Sequence, residues 1–326
     1  MLDASRLRGS LIPAVPAPLA AGGDIDRPAQ RAYARWLAHE PAEGVAVWAH
    51  TGRGLRLNES QRAYVLECWR EVMVPPRFVL AAAGASHDLI DPEKVIIAAR
   101  TMARQACGGG ADGLLVHPPV AFRGHPDQDA LVRAYHEAVA EAGLPLVLFF
   151  LYEEAGGLSY GPALLRQLLA MPAVLGIKVA TLDSVMTFQD IARLVADSAP
   201  GKVLITGEDR FLPYSLMCGA EAALIGMGAA CTTLQARLIR AYREGRADEF
   251  LRLSGPVDDL ARHTFRAPME GYIQRMLWCL VHQGVIPREA AHDPWGPRLD
   301  PSEFDEIGRC VRRIHDECPP EGRRSP

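Results

Sequence analysis

Eight short apolar segments recur along the chain, and longer amphipathic segments separate them. The apolar segments are rich in Val, Leu, Ile and Ala and mostly lack polar alternation, which is typical of strands buried on both faces of a parallel sheet. They cover residues 10–17, 44–50, 77–84, 113–119, 145–150, 174–180, 202–207 and 222–228. Eight consecutive strand–helix units favour closure of the sheet into a barrel. The sequence therefore predicts an α/β fold, a (β/α)8 TIM barrel with a C-terminal helical extension.

The segments between the predicted strands carry apolar residues at three- and four-residue spacing, as amphipathic helices do. Four clear examples are residues 26–40, 58–73, 92–107 and 127–143. Asn58 and Asp91 are predicted helix N-caps, and Gly143 is a predicted helix stop.

The chain continues well past the eighth predicted strand. Residues 230 to about 284 have a helical pattern, a loop rich in Pro, Trp and Gly follows, and one more helix is predicted before the C-terminus. We expect a barrel over residues 1–229, a helical region packed on it over residues 230–318, and a disordered tail over residues 319–326. The length of 326 residues fits a barrel of about 250 residues with such an appendage.

Composition argues against several classes of partner. The net charge is −4 and no basic stripe is present, so we expect no nucleic-acid partner. No apolar run approaches the roughly 20 residues that a membrane span needs, and the N-terminal segment lacks the apolar stretch of a signal peptide. The seven cysteines have no zinc-ligand spacing, which favours reduced thiols in a cytoplasmic protein.

Lysine is rare in this chain, and one lysine lies inside an apolar strand. Of the 35 basic residues only Lys94, Lys178 and Lys202 are lysines, and Lys178 is flanked by apolar residues in the sixth predicted strand. Desolvation there favours the neutral amine, which can attack a carbonyl carbon and form a Schiff base. Alternatively, Lys178 pairs with Glu208 or another carboxylate and only holds the barrel mouth together.

Further polar residues follow the predicted strands, where barrel enzymes carry their reactive groups. His50 and His117 are each able to transfer protons near neutral pH or to satisfy a loop backbone. Thr51 and Gly52 offer a hydroxyl and backbone N–H groups for a carboxylate. Tyr152 is a candidate proton relay or a packed aromatic residue.

Charged residues complete the candidates. Arg53 is either a ligand contact or a surface arginine, and Glu153 with Glu154 is either an acid/base pair or a solvated loop. Glu208 and Asp209 are conceivable metal ligands, but no histidine stands at ligand spacing, so we expect no metal site.

Short motifs at these strand ends occur in a specific order. They are Ala17-Pro18-Leu19 with Gly22-Gly23-Asp24-Ile25-Asp26, Ala49-His50-Thr51-Gly52-Arg53, Leu57-Asn58-Glu59-Ser60-Gln61-Arg62, Pro118-Pro119, Gly176-Ile177-Lys178, Thr206-Gly207-Glu208-Asp209 and Gly219-Ala220-Glu221-Ala222-Ala223-Leu224-Ile225. With them the chain resembles the dihydrodipicolinate synthase and N-acetylneuraminate lyase family of class I aldolase-like barrels. The resemblance runs from about Leu11 to about residue 260.

The resemblance implies a lyase that forms a Schiff base between Lys178 and a 2-oxo acid, such as pyruvate or a 2-keto-3-deoxy sugar acid. Such a lyase needs no cofactor, because the iminium is the electron sink. The resemblance also implies a homo-oligomer, a dimer or a tetramer. It assigns substrate binding to Thr51, Gly52, Gly207, Leu224 and Phe149.

The chain departs from the family at several positions. The proton-relaying tyrosine of the fifth strand is Phe149 here, and the neighbouring asparagine is Phe150. His50 replaces a threonine, Val120-Ala121 replaces a tyrosine, and Glu154 replaces an arginine. Because phenylalanine has no ionisable group, the resemblance does not extend to the proton relay of the synthase. Either His50 or Tyr152 takes over proton transfer, or the barrel binds a small carboxylate as a sensor or structural subunit without catalysis.

Overall fold

A computed structural model describes residues 2–182 and 184–318 of the chain. Its strands are β1 (Leu11–Pro13), β2 (Gly44–Val47), β3 (Phe78–Ala83), β4 (Gly113–Val116), β5 (Leu146–Leu151), β6 (Val174–Ala180), β7 (Val203–Thr206) and β8 (Ala222–Ile225). All neighbouring strands are parallel, in the order β1-β8-β7-β6-β5-β4-β3-β2. A parallel bridge between Ala14 and Ala46 joins the two remaining edges. The predicted (β/α)8 barrel is therefore confirmed.

Helices connect the strands and extend the chain beyond the barrel. They are α1 (Ala4–Leu7), α2 (Arg27–Leu37), α3 (Glu59–Val72), α4 (Pro92–Gly108), α5 (Gln128–Ala140), α6 (Pro162–Leu169), α7 (Val185–Ser198), α8 (Leu212–Met217), α9 (Thr232–Arg243), α10 (Ala247–Thr264), α11 (Tyr272–His282) and α12 (Ser302–Glu317). Asn58 and Asp91 cap α3 and α4 as predicted, accepting hydrogen bonds from backbone N–H groups three residues later. Gly143 follows α5 with a φ of +76°, which glycine adopts without strain.

Burial explains why the strands lack polar alternation. Every strand residue except Leu175 is buried, because the inner faces fill the barrel and the outer faces pack against helices. Among the strands that the structure describes, Lys178 is the only charged residue, and it pairs in register with Phe149 of β5. The strand that carries Lys178 thus has no solvated face.

The helices α9 to α12 form the predicted C-terminal extension. The division at residue 229 stays a prediction, and the predicted disordered tail, residues 319–326, lies outside the described residues. All seven cysteines are free thiols. No helix in the described part of the chain combines the length and the apolar character that a membrane crossing requires.

Candidate active site

Lys178 lies near the C-terminal end of β6 with only 6% of its surface exposed. Its Nζ is 4.1 Å from the centre of the Phe149 ring, so a phenyl face covers the amine. Desolvation lowers the pKa of Lys178, while the negative charges of Asp209 and Glu208 oppose that shift. The reactive neutral amine is consequently more populated near neutral pH than it is in an exposed lysine.

The two carboxylates beside Lys178 are held by backbone groups. Glu208 accepts hydrogen bonds from the N–H and hydroxyl of Thr181, at 2.5 and 2.9 Å, and from the N–H of Leu182 at 2.9 Å. Burial nevertheless raises the pKa of Glu208 to about 7. Asp209 accepts a hydrogen bond from Met227 N–H at 2.6 Å, and burial raises its pKa as well. Within the described residues, neither carboxylate belongs to a cluster with metal-ligand spacing.

Gly207, at the end of β7, lies directly against the lysine side chain. An ideal Cβ at Gly207 would lie 2.6 Å from Cε of Lys178, which is closer than two non-bonded carbons can approach. The missing side chain therefore provides the space through which Lys178 extends. The N–H of Gly207 donates to the carbonyl of Val179 at 2.7 Å.

A tyrosine from the C-terminal extension reaches the same end of the barrel. Oη of Tyr272 lies 3.0 Å from Oγ1 of Thr51, and both residues are buried. The Tyr272 ring stacks on Phe265, with centroids 4.6 Å apart and planes 23° apart. Burial raises the pKa of Tyr272 well above its ordinary value, so the phenol is protonated in the free protein.

His50 pairs with a carboxylate from the same C-terminal segment. Its Nε2 lies 3.2 Å from Oε1 of Glu270, and its ring is edge-on to Tyr272 at 6.1 Å. The guanidinium of Arg53 binds the other oxygen of Glu270 at 2.8 Å. Burial would raise the pKa of Glu270, but His50 and Arg53 outweigh it and lower the pKa to about 2.

Arg53 links the loop after β2 to the C-terminal extension through ion pairs. Besides Glu270, it binds both carboxylate oxygens of Asp293, at 3.1 and 2.7 Å. The Asp293 side chain is only 1% exposed. Arg53 is therefore a largely covered structural cation between two carboxylates, and its charge is already compensated.

The segment that carries Glu270 and Tyr272 is held by a second arginine, which is fully buried. Arg275 of α11 binds Glu303 of α12 at 2.6 Å. It also donates to the carbonyl groups of residues 266–268 at 2.6–3.2 Å. These bonds fix the turn before α11 and thereby the position of Tyr272.

Two cavities that share four lining residues open at this end of the barrel. The inner one, about 40 Å³, surrounds Lys178, and the outer one, about 250 Å³, leads away from it. Six predicted site residues line the inner cavity, namely His50, Thr51, Phe149, Tyr152, Lys178 and Gly207. Four residues of the C-terminal extension also line it, namely Phe265, Met269, Glu270 and Tyr272. The structure thus brings most of the predicted site together.

Two predicted substrate-binding residues are not among the described residues that line the inner cavity. The N–H of Gly52 donates to the Ala49 carbonyl at 2.9 Å and so belongs to the turn. Leu224 is buried within β8. Their role in substrate binding stays a prediction.

The remaining candidates His117 and Glu153 are not among the described residues that line the inner cavity. His117 borders the outer cavity, and its Nε2 lies 3.1 Å from the carbonyl oxygen of Trp48. Burial lowers the pKa of His117 to about 3, so it is neutral and satisfies a backbone carbonyl. Glu153 is exposed at the start of a short 3-10 helix after β5, where it pairs with Arg123 at 3.8 Å, and the side chain of Glu154 lies outside the described part of the structure.

Sequence reasoning missed the contribution of Glu270, Tyr272 and Asp293. These residues follow the barrel by more than 40 positions and match no motif of the barrel strands. One available signal was Arg53, since a positive charge in a buried strand-end loop requires carboxylates from elsewhere in the chain.

A closed eight-stranded barrel with a desolvated lysine beside two carboxylates at its mouth has the arrangement of a class I aldolase-type barrel. The chain belongs to the dihydrodipicolinate synthetase family, whose model matches residues 7–309. That family consists of Schiff-base lyases that act on pyruvate-like substrates.

Three relatives illustrate the similarity. An uncharacterized DapA-like lyase of Thermococcus kodakarensis is 27% identical over 256 residues, which are 78% of this chain and 83% of that protein. A catalytic lysine mutant of Ruminococcus gnavus sialic acid aldolase superposes with a TM-score of 0.81 at 19% identity, covering 97% and 98% of the two chains. An Escherichia coli K12 prophage protein of the dihydrodipicolinic acid synthase family, in complex with pyruvate, gives 0.79 at 21% identity, covering 94% and 98%. At these sequence identities, the two structural superpositions show only that the fold is shared.

Proposed function

We propose that this protein is a lyase that forms a Schiff base between Lys178 and a 2-oxo acid and then cleaves, condenses or dehydrates the bound molecule. The desolvated amine of Lys178 at the floor of a cavity carries the proposal, because its lowered pKa makes it a nucleophile near neutral pH. Two related structures support it: one is a catalytic lysine mutant of an aldolase, and the other is a complex with pyruvate.

The walls of the inner cavity suit the oxo acid end of the substrate. The hydroxyl of Thr51 is the candidate donor to the carboxylate, and the Phe149 ring covers the amine on one side. The C2 carbonyl would then face Nζ of Lys178. Once the iminium forms, it withdraws electrons from C3, so a bond from C3 to the next carbon can form or break.

The outer cavity favours a hydroxylated substrate chain. Its wall carries the polar side chains of His50, Ser86, His87 and Glu270. The charge of Arg53 is already compensated by two carboxylates, so the cavity does not offer it to a second anionic group. A 2-keto-3-deoxy sugar acid fits this polar wall. Arg56 also lines the outer cavity and pairs with the exposed Asp88 at 3.6 Å, so it is the cation that a second carboxylate would have to use.

An activity assay tests the proposal. The protein is incubated with a panel of 2-keto-3-deoxy sugar acids, and released pyruvate is measured by its enzymatic reduction, with Lys178→Met as the control. We expect pyruvate release from at least one sugar acid and none from the variant. Equal release by the variant would contradict the assignment of Lys178.

The loss of the strand-five tyrosine supports a second candidate function. Phe149 and Phe150 make the end of β5 apolar, as expected if the barrel only binds a small carboxylate. Binding of pyruvate that raises the melting temperature without any covalent adduct would favour this sensor or structural role. Homo-oligomer formation and a cytoplasmic location stay predictions of the family resemblance.

A further inference from the structure

We propose that Tyr272, from the C-terminal extension, is the catalytic proton-transfer group of this site and works in place of the tyrosine that Phe149 replaces. The inference rests on the proposed Schiff base at Lys178. It assigns to α11 a residue that touches the substrate, and it makes the C-terminal extension part of the active site.

The chemistry requires a proton donor and acceptor next to C2 and C3 of the oxo acid. The hydroxyl that leaves C2 during imine formation needs a proton, and C3 must lose one to give the enamine. Phe149 supplies neither, although its ring is 4.1 Å from the reacting amine. Another side chain of the inner cavity must therefore protonate the hydroxyl on C2 and remove the proton from C3.

Tyr272 satisfies the geometric requirement. It lines the same inner cavity as Lys178, and its hydroxyl is 3.0 Å from that of Thr51, the candidate carboxylate ligand. An ideal Cβ on Gly226 would lie 3.1 Å from the Tyr272 ring and 3.3 Å from Oγ1 of Thr51, so the glycine lets both side chains close over this strand end. The phenol thus lies where the carboxylate end of the substrate is expected.

The surroundings of Tyr272 hold it in one position. Its ring stacks on Phe265, and Arg275 anchors the turn that precedes α11. A proton donor that is fixed in place acts without reorganisation when the substrate is bound. Burial keeps the phenol protonated until a positive charge forms nearby.

His50, Tyr152, Asp209 and Glu270 are the other titratable side chains that line the inner cavity with Lys178. Asp209 accepts a hydrogen bond from Met227 N–H and its negative charge acts on the Lys178 amine itself, and Glu270 is paired with Arg53. His50 lines both cavities, and its Nε2 is already engaged by the Glu270 carboxylate at 3.2 Å. Tyr152 is half-buried and follows the end of β5. Tyr272 is buried and hydrogen-bonded to the carboxylate-binding hydroxyl, so the geometry favours it for the protons at C2 and C3.

Tyr272 can donate its phenolic proton in one step of the reaction and recover a proton in the next. The amine of Lys178 bonds to C2 of the oxo acid, and a proton moves from nitrogen to the former carbonyl oxygen. Tyr272 gives its phenolic proton to that hydroxyl, the C–O bond breaks, and water leaves, which produces an iminium and a phenolate. The phenolate then removes a proton from C3, which yields the enamine and restores the phenol.

Exchange of the methyl protons of pyruvate in deuterated water measures this step without a second substrate. Proton NMR follows the exchange, while borohydride reduction and intact-protein mass spectrometry follow imine formation at Lys178. We expect Tyr272→Phe to exchange the methyl protons about 100-fold or more slowly than the unmodified protein. The final yield of reduced adduct in this variant should equal that of the unmodified protein. Tyr33→Phe is the matched control, since this buried phenol donates to the Ala229 carbonyl at 2.9 Å and does not line the cavity.

The results separate this inference from the proposed function. If Tyr272→Phe exchanges the methyl protons at an unchanged rate and still forms the adduct, the role of Tyr272 is overturned and the Schiff-base function is not. Absence of adduct in the unmodified protein would overturn the Schiff-base function and this inference with it. If Tyr272→Phe does not fold, Thr51→Val replaces it, and an exchange rate and pH profile that match the unmodified protein would overturn the inference.

Discussion

Gly207, directly after β7, lies against Lys178 of the neighbouring β6: an ideal Cβ on the glycine would lie 2.6 Å from Cε of the lysine. Lys178 therefore crosses the strand end through the space that a side chain on residue 207 would occupy. The orientation of the reactive amine depends on this one missing carbon as much as on the lysine itself.

Gly207→Ala should move the lysine and impair adduct formation. We expect the rate of reduced adduct formation with pyruvate to fall about tenfold or more, with a stability loss of about 1–3 kcal/mol from overpacking. Gly201→Ala is the control, because no atom lies within 4 Å of an ideal Cβ there. An adduct rate in Gly207→Ala equal to that of the control would contradict the packing argument.

Asp209→Asn should shift the pH dependence of imine formation. The negative charge of Asp209 raises the pKa of Lys178, so its removal lowers that pKa and the neutral amine appears at lower pH. The midpoint of the rate of adduct formation against pH should therefore move downward. Asp197→Asn, an exposed residue of α7, should leave the midpoint unchanged. An upward shift in Asp209→Asn would refute this electrostatic account.

Arg53→Ala should destabilise the attachment of the C-terminal extension. It leaves the buried carboxylate group of Asp293 without its cationic partner, and removal of one partner of a buried ion pair typically costs about 3–5 kcal/mol. Arg133→Ala removes an exposed pair with Glu137, and its cost should stay below about 1 kcal/mol. Urea unfolding of both variants measures the difference, and equal losses would show that Arg53 is not a structural cation.

The Glu270 carboxylate predicts an acid dependence of stability. Its pKa is lowered to about 2 from an ordinary value of 4.5, so the folded state binds this proton more weakly than the unfolded state does. The resulting stability is present above about pH 5 and is lost as the pH falls toward 2. Glu270→Gln should flatten this part of the unfolding curve measured in urea at several pH values. A variant that loses as much stability on acidification would speak against the pairing.

The barrel was predictable because its signals are local. Uninterrupted apolar segments such as 145–150 reflect strands that are buried on both faces, and the N-caps Asn58 and Asp91 follow from side-chain chemistry. Lys178 was detectable for the same reason, since a lysine among buried aliphatic residues is costly unless it has a function.

The rest of the site depends on contacts that no short pattern encodes. Thr51 and Tyr272 are separated by 221 positions, and their hydroxyls meet only because α11 packs over the barrel mouth. Gly52 had the residue type of a carboxylate ligand, but its N–H is used within the turn. Loop conformation and the packing of a distant helix determine which groups reach the cavity. The order of the motifs therefore predicted the strand ends and not the complete lining of the cavity.

The covalent state of Lys178 in the presence of a 2-oxo acid tests the central claim most directly. The protein is incubated with pyruvate, reduced with borohydride and weighed intact, and Lys178→Ala and Lys202→Ala are treated identically. We expect a mass gain equal to the reduced imine in the unmodified protein and in Lys202→Ala, and no gain in Lys178→Ala. A gain that persists in Lys178→Ala, or no gain in any protein with pyruvate or with a panel of 2-oxo acids, would contradict a Schiff base at Lys178.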